Sequence, residues 1–78
     1  MKSIHSRRSA ALRQLLIAAR KASGLSQEEL AQRLKSTQSA VSKIERGERR
    51  LDVVEFLNWC DAIGVDPEKI IRGMRRPE

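Results

Sequence analysis

The chain has 78 residues, with 16 Lys and Arg against 10 Asp and Glu, a formal net charge of +6, one Cys, one His and two aromatic residues, Phe56 and Trp59. That length makes one domain with a modest core. A single Cys excludes an intrachain disulfide, one Cys and one His exclude a zinc cluster, and an apolar run no longer than residues 15–19 excludes a membrane span.

The same inventory sets further bounds. A lone Cys60 suits a reducing cytoplasm. There is no isolated acid pair, no metal-ligating cluster and no Gly-rich phosphate loop, so no enzyme, metal or cofactor is expected. Four Gly, two Pro and few β-branched runs predict an all-α fold. The charge is polarised. Residues 1–24 hold six cations and no acid, residues 35–50 five cations and two acids, residues 51–78 four cations and six acids. A basic side of this kind suits a polyanion.

Residues 1–6 read as a flexible N-terminal arm, with Lys2 able to lie along phosphates together with Arg7 and Arg8. A first helix is predicted from Ser6 or Ser9 to Ala22, because Leu12, Leu15, Leu16 and Ala19 repeat at helical spacing. A basic membrane-surface helix is set aside here, since the fold claims that apolar face. Gly24 closes the helix as its left-handed residue.

Ser26 and Glu29 form a capping box that opens a second helix, residues 27–34, with Leu30, Ala31 and Leu34 as its inward stripe. Thr37 is an N-cap for a third, residues 38–45, with Val41 and Ile44 inward. Gln38, Ser39, Ser42 and Lys43 then share the outward face. A DNA major groove admits an α-helix, and these side chains hydrogen-bond base edges there. Two short helices, a tight turn and small Ala31 at the crossing are the layout of a helix-turn-helix.

LSQEELAQRL followed by TQSAVSKIERG resembles the phage repressor/Cro-type (XRE) helix-turn-helix regulators. The resemblance runs from about Leu12 to Ile70 and includes the leading GLSQ, Ala31, the Val41/Ile44 pair and the closing IERG. It implies a compact five-helix, lambda-repressor-like all-α domain over residues 7–74, with the motif at helices two and three and a tail at 75–78. Two positions depart from the family: Lys35 stands where Gly is usual in the turn, and Ser36 where an apolar residue is usual. A left-handed backbone at Lys35 would cost roughly 1–2 kcal/mol. The resemblance further implies base reading by Gln38, Ser39, Ser42 and Lys43, a backbone clamp at Gln27, and an Arg20–Glu45 ion pair tying the first helix to the third.

Thr37 and the arginines of the loop after the third helix, Arg46, Arg49 and Arg50, join Gln27 as expected backbone contacts. Asp52 and Glu55 form a second capping box, and Val53, Phe56, Leu57, Cys60 and Ile63 are the expected buried stripe of helix four. Trp59 either caps the core or anchors a partner. Gly64 ends that helix, and Pro67 is the first residue of a fifth, with Ile70 inward. Trp59, Ile71 and Met74 are the candidate dimer contacts. The expected function is a sequence-specific, repressor-like regulator in a prokaryotic or phage cytoplasm, at the nucleoid, binding palindromic double-stranded DNA as a homodimer. The alternative is an antitoxin-like or other protein-interaction module in which DNA binding is secondary.

Overall fold

The computed structural model describes residues 6–75, and among them it contains five α-helices: α1 (Arg7–Ala22), α2 (Gln27–Leu34), α3 (Gln38–Glu45), α4 (Val53–Ile63) and α5 (Pro67–Arg75). Of the expected arm and tail, Ser6 and Arg75 are described, and both belong to the helical domain: Ser6 caps α1 and Arg75 ends α5. Lys2 lies outside the described residues.

Local chemistry sets the helix starts. Ser6, Ser26, Thr37 and Asp52 are extended N-caps whose side chains accept from the backbone N–H of Ser9, Glu29, Ala40 and Glu55. Each such cap is worth about 1 kcal/mol against Ala. Glu29 and Glu55 return the bond, accepting from the N–H of Ser26 and Asp52, so both capping boxes are complete. The ends of the first four helices share a pattern. A residue with positive φ lets the next N–H reach back five residues: Leu25 to Arg20, Ser36 to Ala31, Glu48 to Lys43 and Val65 to Cys60, at 2.8–3.1 Å. The left-handed residues are Gly24, Gly47, Gly64 and, at the end of α2, Lys35 with φ 57°. The turn of the motif therefore keeps its hydrogen bonds without Gly and carries strain in the Lys35 backbone.

α1 lies along α5, α2 packs on both α3 and α4, and α1 also touches α3 and α4. The core joins Leu16, Leu30, Ala31, Val41, Ile44, Phe56, Trp59, Cys60, Ile63 and Ile70. Gly73 sits so close to α1 that an added Cβ would stand 2.8 Å from Leu15 Cδ1, which lets α5 approach closely. Ser23 Oγ donates to the Ile63 carbonyl and Arg33 Nη1 to that of Ala62, satisfying the end of α4 from outside.

The buried side of α4 differs from the expected stripe. Val53 is 73 % and Leu57 43 % exposed, while Trp59 is 3 % exposed among Leu16, Val41 and Ile44. The helix is turned so that Phe56, Trp59, Cys60 and Ile63 point inward. The large indole buries more apolar area than a valine in the first turn of the helix, and that favours this rotation. Trp59 is thereby removed from the candidate dimer contacts. Met74 is half-buried against the core and Ile71 is exposed. No helix among the described residues is long and apolar enough to cross a membrane.

Candidate nucleic-acid interface

The outward side of α3 exists because its inward side is anchored. Val41 and Ile44 are buried, and residues three and four apart share one face of a helix. Gln38, Ser39 and Lys43 are exposed on the other side, with Ser42 half-buried beside them.

A polar chain links this surface to the interior. Arg20 lies 7 % exposed and donates from Nη1 to the Leu25 carbonyl, at 2.7 Å, and from Nε and Nη2 to the two Glu45 carboxylate oxygens, at 2.7 and 3.1 Å. Glu45 Oε1 also accepts from Gln27 Nε2 at 2.8 Å, and Gln27 Oε1 accepts from Gln38 Nε2 at 3.0 Å. Because the carboxylate can only accept, it sets which end of the Gln27 amide faces it. That in turn sets the end that Gln38 meets. The expected Arg20–Glu45 pair is thus present. Its extension through Gln27 to Gln38 was not legible in sequence, since it depends on the angle between α2 and α3.

The loop arginines have partners of their own. Arg46 pairs with Glu48 at 2.8 Å and donates to Ser42 Oγ; Arg49 pairs with Glu55. Hydrogen bonding and charge hold Glu48 and Glu55 below the usual carboxylate range and raise Arg46 and Arg49 above the usual arginine value. These pairs are largely exposed, so a phosphate can replace the carboxylate without uncovering a buried charge. Thr37 uses its hydroxyl to cap α3 and remains exposed. Gln27 stands at the first residue of α2, where backbone N–H groups point outward. Arg50 is exposed beside Arg49. The structure therefore brings Gln27, Gln38 and Glu45 into one network, and Arg46, Arg49 and Arg50 into the loop next to it.

The geometry has known counterparts. The Helix-turn-helix family HTH_3 matches residues 16–70. A solved XRE-family like protein from Pseudomonas syringae pv. tomato str. DC3000 is 50 % identical, with a TM-score of 0.86 over 95 % of this chain and 90 % of that one. The chain belongs to the XRE-type helix-turn-helix family. The chain is also similar to the solved restriction-modification controller protein C.AhdI from Aeromonas hydrophila, 32 % identical, with a TM-score of 0.73 over 85 % of this chain and 99 % of that one. The clp gene regulator ClgR from C. glutamicum, 23 % identical, matches with a TM-score of 0.80 over 90 % of each chain and shows the shared fold. No curated protein matches the chain. The lambda-repressor-like, all-α arrangement expected from the sequence is the one observed. Lys35, which departs from the turn Gly expected by resemblance, holds a left-handed backbone.

Proposed function

We propose that the protein is a sequence-specific, repressor-like DNA-binding regulator that reads a palindromic double-stranded operator as a homodimer. The observation that carries this reading is the state of Gln38. One of its amide N–H groups is given to Gln27, which leaves one N–H and the carbonyl oxygen. An adenine edge in the major groove asks for that donor and acceptor together. Gln38 is presented in a defined orientation because Gln27 is held by Glu45, and Glu45 by Arg20.

Lys43 donates to guanine O6 or N7, and Ser39 and Ser42 bond a base or a phosphate. Gln27, Thr37, Arg46, Arg49 and Arg50 hold the backbone on either side of the reader. One eight-residue helix covers few base pairs, so two copies spaced by roughly one DNA turn, about 34 Å, supply affinity and read a two-fold site. Exposed Ile71, with half-buried Met74, is a candidate for the contact between copies, and the exposed Val53, Val54 and Leu57 of α4 add a second apolar surface. Such a regulator works in a prokaryotic or phage cytoplasm, at the nucleoid.

The second reading, an antitoxin-like interaction module, draws on the same exposed apolar residues. Selection of bound duplexes from a random DNA pool separates the two. A two-fold motif with a preference at the position read by Gln38 is expected. Recovery of unrelated duplexes, with binding unchanged by Gln38→Ala and Lys43→Ala, favours the interaction module.

A further inference from the structure

Gly47 is the left-handed residue that ends α3, and it is buried although the residues around it in the chain are exposed. What covers it is Arg13 of α1. A Cβ built on Gly47 would stand 2.8 Å from Arg13 Cζ, 3.0 Å from Nε and 3.1 Å from Nη1. Three atoms of one planar group at nearly equal distance mean that the guanidinium lies face-on over the glycine Cα. Arg13 Nη1 also donates to Ser9 Oγ one turn earlier, at 3.3 Å, which restrains the side chain along α1.

We propose that Arg13 is a positioning residue for the phosphate-contacting segment 46–50. Arg13 and Arg20 are two turns apart on one side of α1. Arg20 grips the Glu45 side chain, and Arg13 closes over the Gly47 backbone two residues later. The last turn of α3 is therefore held at two points by one helix, and the second point is where the loop departs. A guanidinium at this end of α3 also lies on the favourable side of the helix dipole. The cleft beside it, of about 260 Å³, is lined by Arg8, Arg13, Arg49 and Arg50, so the loop arginines stand next to the residue that sets the loop's path. Planarity is what the contact uses; a lysine ammonium supplies the charge without the flat face.

The inference rests on reading segment 46–50 as a DNA-backbone contact. Its test is a double-mutant cycle of Arg13→Ala and Arg49→Ala, with binding measured on a duplex selected from a random pool and on an unrelated duplex, and thermal melts as a folding control. Arg13→Ala is expected to weaken both duplexes about tenfold, and by less than about twofold once Arg49 is already Ala, because coupled residues are not additive. Arg13→Lys should behave like Arg13→Ala. Gly47→Ala should cost less stability in the Arg13→Ala background than in the parent, since the covering group is gone. Additive losses, or full rescue by Lys, would overturn the positioning role and make Arg13 an independent charge. Should Arg13→Ala not fold, Arg13→Lys in the same cycle decides between these outcomes. Arg49→Ala with no effect on either duplex would instead overturn the reading of the loop itself.

Discussion

The Arg20 guanidinium meets the Glu45 carboxylate through two hydrogen bonds, with the side chains 9 % and 5 % exposed. A pair this buried is costly to break from one side, because the remaining charge is left in a low-dielectric site. Glu45→Ala is expected to cost about 3–5 kcal/mol in denaturant unfolding, while replacing both residues by apolar ones of similar volume should cost much less. If the double variant were as unstable as Glu45→Ala, the pair itself would be the source of stability.

Reader and clamp are expected to separate in mutant binding. Gln38→Ala should relax preference at one position of each half-site, losing about 1–3 kcal/mol of discrimination there. Arg49→Ala should weaken all sequences about equally and lower the slope of log K against log salt by about one. Selection profiles and salt titrations of the two variants check this; identical profiles would refute the division of roles.

Lys35 holds a left-handed backbone at φ 57°. Lys35→Gly removes that strain but adds freedom to the unfolded chain, so a net gain of about 0.5–1 kcal/mol is expected. DNA affinity should not change, because Lys35 lies outside the proposed contacts. A melting temperature at or below the parent's would mean that the turn tolerates Lys without strain.

Stability should also follow pH through the capping carboxylates. The Ser26 backbone N–H holds Glu29 below its ordinary value, and Arg49 followed by the Asp52 N–H does the same for Glu55. A lowered folded value means stability that is present above the unfolded value, near 4.5, and lost as pH falls through the folded one. Melting temperatures should be flat from neutral pH to about 5 and then fall. Glu29→Gln and Glu55→Gln should reduce that fall, since an amide keeps an acceptor that does not titrate in this range. An unchanged acid limb in both variants would assign the loss to other groups.

The helix limits were legible because they depend on near neighbours in the chain. Ser26 with Glu29, Thr37, Asp52 with Glu55, and Gly24 and Gly64 each act within a turn, so α2 and α3 appear at the residues expected. Resemblance to the family added the Arg20–Glu45 pair, which is observed. The rotation of α4 was not legible: Val53 and Leu57 fit a helical stripe as well as Trp59 does, and periodicity alone does not say which phase faces a core built by α1, α2 and α3.

Short-range chemistry, then, was enough to specify where α2, α3 and α4 begin and end and which side of α3 is polar, because caps and spacing are contacts between residues close in sequence. The burial of Trp59, the amide relay from Glu45 through Gln27 to Gln38 and the cover that Arg13 places over Gly47 were decided by packing. Each joins residues from separate segments of the chain, and such contacts depend on crossing angles and distances that no local pattern contains.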